Sequence, residues 1–290
     1  MERVLPYTDS KIRYGSRYTK SENIAPIINI WERHMLSGKE DTLVDKSIEL
    51  IKLMFAYSEF YRHYHDLTHL REALSIAEDL CASFEVSKEQ TQTTMAAIFF
   101  HDVIQHASNS KNSNERLSAQ YAADYLGTFT HIDVPSVRKL ILGTEGHRDE
   151  AEVGKDYDLH SIVNYADLSI LATEEERYAK YLQGIKDEYL SFDTEDGGVF
   201  RFYTLRKVFI ESILAKTRIF NLVLDEKLNH EEAARRNMKI ELQVLAEMNA
   251  EEEVKKDIDQ VSEDLYQATE AFVKASNKDK LVGDKTHLAE

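Results

Sequence analysis

Ten glycines and three prolines are all the strong helix breakers that this 290-residue chain contains. The stretches between them are rich in Leu, Ala, Glu, Lys and Gln, which lose little freedom in a helix, and alternating strand patterns are scarce. The expected fold class is therefore all-α. The length suits one large domain, or one domain with an appendage, with enough chain to bury a sizeable core.

Residues 1–24 mix polar and aromatic side chains without periodicity and read as an N-terminal arm. Helical spacing of apolar residues begins at Pro26, a favourable first helical position, with Ile27, Ile28, Ile30 and Trp31, and resumes from Leu43 to Met54. Further helices are expected over 67–84, 88–106, 114–127, 134–145, 159–172, 174–190 and 198–224. Another starts after Asn229, read as its N-cap, and runs to about residue 275. The helical domain is placed at 25–245, with 246–290 as a C-terminal helical extension ending in a polar tail. In that extension Val254, Ile258, Val261, Leu265, Ala268 and Phe272 are spaced 4, 3, 4, 3 and 4 residues apart. So narrow a stripe on a charged helix needs a surface to cover it: either the domain itself or a second subunit, giving a homo-oligomer paired through the C-terminal helix.

The formal net charge of −16 argues against duplex nucleic acid as a partner, because phosphate backbones are gripped by Lys and Arg. A small anionic, phosphate-containing substrate fits if a metal ion and a few local cations offset the field. No apolar stretch approaches the roughly 18 residues of a membrane span, and the first residues lack an apolar signal core, so no membrane partner and a cytoplasmic location are expected. The single cysteine, Cys81, lies in a helical pattern and suits a buried small hydrophobe in a reducing compartment.

Chemistry-bearing residues cluster in three places: RHYHDLTHL at 62–70, AAIFFHDVI at 96–104 and NYADLSILA at 164–172. His-Asp occurs twice, and the surroundings distinguish the two copies. His101-Asp102 follows a nearly continuous apolar run, where an unpaired ionised carboxylate would cost several kcal/mol and a cation would remove the problem. His65-Asp66 sits among polar residues and can be solvated. Asp167 is the one acid in a mostly apolar helix. His65 and His69 are one helical turn apart, and His69 leads into Leu70, Ala73, Leu74 and Ala77, the core-facing stripe. That makes His69 the metal-ligand candidate and His65 a group beside the metal or on the substrate. His69, His101, Asp102 and Asp167 form a mixed nitrogen and oxygen set suited to Mn²⁺, Fe²⁺, Co²⁺ or Mg²⁺, with Zn²⁺ also compatible.

The order His, His-Asp, Asp along helices resembles the HD-domain superfamily of metal-dependent phosphohydrolases. RHYHDLTHL is similar to the R-x-YHN-x-xH signature of one predicted phosphohydrolase subgroup. FFHDVI, NERLSA at 114–119, TEGH at 144–147, ADLSILA at 166–172 and YAKYLQGIKDEY at 178–189 continue the likeness over roughly residues 25–245. The resemblance implies an HD-type helical bundle and the same four ligands, holding one divalent ion or two. It also implies His65, Glu115 and His147 as active-site residues, with Asp102 or Glu115 activating water and His65 or His147 contacting phosphate; Arg62 and Arg148, close to these motifs, are further phosphate-contact candidates in their own right. A nucleotide is the substrate class it suggests. Two positions depart from the subgroup: Asp66 stands where Asn is usual, and Arg116 where a second acid is common. Arg71 is a further phosphate-contact candidate, and Tyr57, Phe60, Tyr61 and Tyr64 offer core packing or a stacking ring. His106 is read as a helix-end residue. The competing readings are a non-catalytic scaffold that binds a nucleotide or a partner protein and an HD-fold oxygenase with two irons.

Overall fold

The computed structural model describes residues 21–36, 43–105, 113–127, 129–147, 158–195 and 197–248. Among them the secondary structure is entirely helical: α1 (Ser21–Met35), α2 (Leu43–Ala56), α3 (Leu67–Ser83), α4 (Lys88–Phe100), α5 (Asn114–Leu126), α6 (Val134–Gly143), α7 (Leu159–Leu168), α8 (Glu175–Phe192), α9 (Gly198–Leu214), α10 (Leu222–Leu228) and α11 (His230–Met248), with 3₁₀ turns at Glu145–His147 and Ser169–Ala172. No described helix is long and apolar enough to cross a membrane.

The centre is α4. Every residue from Gln92 to Phe100 is buried, so this helix has no polar face, as expected of one surrounded by protein. It packs against α1, α3, α5, α6 and α7. Trp31 of α1 meets Phe99 edge-to-face at 5.0 Å, within the range such pairs prefer. The buried apolar core runs from Ile27 to Leu245. α11 lies against α9 and the 3₁₀ turn after α7, where Asn237 donates to the carbonyls of Leu171 and Thr173 at 3.0 and 2.9 Å.

Several expected boundaries shift, each for a physical reason. α1 starts at Ser21, so Pro26 lies inside it rather than opening it. α4 ends at Phe100 rather than 106, because the Arg62 guanidinium takes the carbonyls of Asp102 and Val103, at 2.7 and 2.9 Å, out of any helical ladder. The stretch expected as one helix over 198–224 breaks after Leu214. There Arg235 donates to the carbonyls of Leu214, Lys216 and Thr217, while Glu231 accepts from the amides of Ile219 and Phe220. Asn229 adopts a left-handed φ of 53° between α10 and α11. The cap expected from it comes instead from Asp225, whose Oδ1 accepts from the amides of His230 and Glu231 at 2.7 and 3.2 Å. The apolar stripe from Val254 to Phe272, His106 and Arg148 lie outside the described residues.

Candidate metal centre

The four expected ligands come together. One donor atom from each of His69, His101, Asp102 and Asp167 lies within 4.8 Å of all the others. His69 Nε2 is 3.2 Å from His101 Nε2, 3.5 Å from Asp102 Oδ2 and 3.3 Å from Asp167 Oδ1. His101 Nε2 is 3.1 Å from Asp102 Oδ2 and 3.5 Å from Asp167 Oδ1. Atoms about 2.1 Å from a shared ion sit about 3.0 Å apart at right angles and about 3.4 Å apart in a tetrahedron. The five separations that involve an imidazole, 3.1 to 3.5 Å, match those spacings.

Each ligand is aimed by local structure. His69 is in the first turn of α3, whose N-cap is Asp66: Oδ1 accepts from the amides of Thr68 and His69 at 2.7 and 3.2 Å. Asp66 is therefore a capping residue, a task Asn performs about equally well, which accounts for the departure from the resembled signature. His101 closes α4, and its Nδ1 faces the Ile98 carbonyl at 2.8 Å. A carbonyl only accepts, so the Nδ1 proton is fixed and Nε2 of the neutral ring presents its lone pair to the cluster. His69 Nδ1 is held by the Tyr64 hydroxyl at 3.0 Å. Asp167 comes from the end of α7, two residues before the 3₁₀ turn begins at Ser169.

The electrostatics call for a cation. Burial works against a charged Asp102, yet His101 and His65 beside it hold its carboxyl well below the usual range. Burial likewise opposes charge on His101 and His69, and the neighbouring carboxylates reverse this, raising both rings. Protons on imidazoles and a metal ion are alternative ways of meeting the same demand.

His65 stands beside the cluster and not in it. Its Nδ1 is 2.6 Å from Glu188 Oε1, and its Nε2 is 3.9 Å from Asp102 Oδ2. Burial lowers its basicity, but Glu188 and Asp102 outweigh this and raise it to about 9. Glu188 is the residue the sequence reading missed. Its Oε2 accepts from three successive amides, those of His63, Tyr64 and His65, each at 3.1 Å, while Gln105 donates to Oε1 at 3.0 Å. Although burial opposes its ionisation, the contacts from His65 draw its pKa down to about 2. A signal existed: on α8 Glu188 continues the buried positions Tyr178, Tyr181, Leu182 and Gly184, an acid on a core-facing stripe.

Other candidates are placed differently. Glu115, in the first turn of α5, lines the same cavity as His65, Asp102 and Asp167, a space of about 820 Å³. Arg62 does not face that cavity: its fully buried guanidinium donates to the carbonyls of His65, Asp102 and Val103, so the expected phosphate contact becomes a bracket joining two motifs. Arg116 lies with Glu145 at 3.5 Å, and Arg71 donates to Asn23 at 2.7 Å. Tyr57 and Tyr64 are buried, whereas Phe60 is exposed. His147 closes a 3₁₀ turn, and its side chain lies outside the described set. No family model, curated protein or solved structure matches this chain.

Proposed function

We propose that this chain is a metal-dependent phosphohydrolase of the HD-domain type, cleaving a phosphoester or phosphoanhydride of a small molecule. The observation that carries the reading is the convergence of two imidazole nitrogens and two carboxylates, the carboxylates on the wall of a cavity large enough for a small substrate. The order of the sequence motifs supports the same family.

His69, His101, Asp102 and Asp167 would hold the ion. When bound, a divalent cation supplies Lewis acidity toward water and toward a phosphoryl oxygen. The chain's own groups do the rest. Asp102 and Glu115 both border the cavity, where a carboxylate can accept a proton from the attacking water. His65, fixed at Nδ1 by Glu188, turns its other nitrogen toward Asp102 and holds a proton there for a phosphate or leaving-group oxygen. Water oxygen bonds to phosphorus, the bond from phosphorus to the leaving oxygen breaks with its electron pair on that oxygen, and a proton completes the leaving group.

The test is metal analysis of purified protein, followed by phosphate release from a panel of phosphoesters and phosphoanhydrides after loading with Mn²⁺, Fe²⁺, Co²⁺, Mg²⁺ or Zn²⁺. Asp102→Ala should lose bound metal and at least about 100-fold in activity. Retention of both by that variant overturns the reading. So does failure of the metal-loaded chain to hydrolyse any member of the panel.

A further inference from the structure

The cavity that holds the two ligand carboxylates is also lined by α8, α9 and the segment between them, and these walls differ in character from the metal cluster. Phe192, Phe202, Leu205 and Phe209 line it, with Ile185 beside them. Leu205 is 57% exposed, an uncovered apolar side chain on the wall of a cavity that is otherwise rich in acid. Glu115, Asp102, Asp167, Glu188, Asp193 and Glu195 line the space against two arginines among the described residues, Arg201 and Arg206. Both arginines are already engaged. Arg201 Nε donates to Asp193 at 2.8 Å, and Arg206 Nε donates to Glu241 at 2.8 Å while its Nη1 donates to the Tyr181 hydroxyl.

The charge balance limits what can enter. Six carboxylates against two arginines and the protonated His65 leave a surplus of three negative charges, and a divalent ion offsets two of them. A phosphomonoester brings up to about two negative charges, and each further phosphate in a chain adds at least about one more, into a space already short of cations. The apolar wall favours a substrate whose other half is apolar, because burying ring or hydrocarbon surface stabilises binding by roughly 25 cal/mol per Å².

We infer that the substrate is a monophosphate ester of a bulky apolar or ring-bearing alcohol, with the phosphate at the metal cluster and the alcohol part against the α8–α9 wall. This rests on the phosphohydrolase reading and goes beyond it in excluding di- and triphosphates as preferred substrates. In the reaction water oxygen bonds to phosphorus, the phosphorus–oxygen ester bond breaks with its electrons on the alcohol oxygen, and that oxygen takes a proton, giving free alcohol and inorganic phosphate.

The experiment compares kcat/KM of the metal-loaded chain for ethyl phosphate, 2-phenylethyl phosphate and 2-phenylethyl diphosphate. The first two have leaving groups of the same alkoxide class, so their difference reads the wall. The expected order places 2-phenylethyl phosphate at least about tenfold above ethyl phosphate and above the diphosphate. Leu205→Glu, at an exposed position where folding is not at stake, should reduce the ratio between the first two at least about fivefold. A diphosphate preferred over the monophosphate, equal use of the two monophosphates, or a ratio unmoved by Leu205→Glu overturns the inference while leaving a phosphohydrolase in place. Hydrolysis of none of the three, alongside hydrolysis of other phosphate compounds, overturns it as well; absence of hydrolysis on every phosphate compound removes the underlying reading.

Discussion

His101 and His65 both stand beside Asp102, at 3.1 and 3.9 Å, with opposite assignments decided by what each Nδ1 meets. For His101 the partner is a neutral carbonyl, so Nε2 is left as a donor to a cation. For His65 it is the Glu188 carboxylate, which favours a second proton on the ring. Substitution should separate them. His101→Ala is expected to abolish stoichiometric metal binding, whereas His65→Asn should keep the metal, measured by elemental analysis, and lose about 10²- to 10⁴-fold in kcat. The His65–Glu188 pair also predicts a pH profile for the metal-free chain. Glu188 has its pKa lowered from 4.5 to about 2, so its contribution is complete above 4.5 and fades as pH falls through 2. His65 is raised from 6.5 to about 9, so its contribution is complete below 6.5 and is lost as pH rises through 9. Urea midpoints should therefore show both contributions between 4.5 and 6.5, and Glu188→Gln should flatten the decline on both sides.

At the scale of helices, what could be read from sequence was governed by local periodicity. The buried face of α3 and the wholly apolar end of α4 gave away His69, His101 and Asp102, because a titratable group among apolar neighbours has few structural excuses. Glu188 escaped because the amides and the imidazole it holds lie more than a hundred residues away, in the turn at 63–65. The break between α9 and α10 escaped for a related reason: Lys216–Asn221 contains no Gly or Pro, and the groups that hold it open, Glu231 and Arg235, belong to α11. Long-range hydrogen bonding of backbone is invisible to any window of sequence. A second long-range device ties α9 to α11, where Arg206 and Glu241 form an ion pair with side chains 6% and 1% exposed. Removing one partner leaves a buried charge, so Arg206→Met should destabilise by about 3–5 kcal/mol. The double variant Arg206→Met with Glu241→Leu should recover most of that loss in denaturant titrations, because no lone charge remains.

For the whole molecule, the metal cluster draws on α3, the end of α4 and α7, three helices that share the central core. Ion binding should therefore report on global folding. A chelator is expected to lower the thermal midpoint, and restoring free metal to about 100 times its Kd should return about 2.7 kcal/mol, a recovery of several degrees for a chain of this size. A midpoint indifferent to chelation, measured by calorimetry on protein shown to contain metal, would contradict that coupling.

One consequence concerns how such a chain can diversify. His69, His101 and Glu188 are rooted in the interior, where almost any change disturbs packing. The face that would meet the rest of the proposed substrate belongs to α8 and α9, and Leu205 on it is largely open to solvent. On the proposed function, reactivity and selectivity would be carried by separable parts of the scaffold. Substitutions along α9 can retune which molecules are accepted without rebuilding the machinery that cuts them, as interchangeable jaws are fitted to one vice.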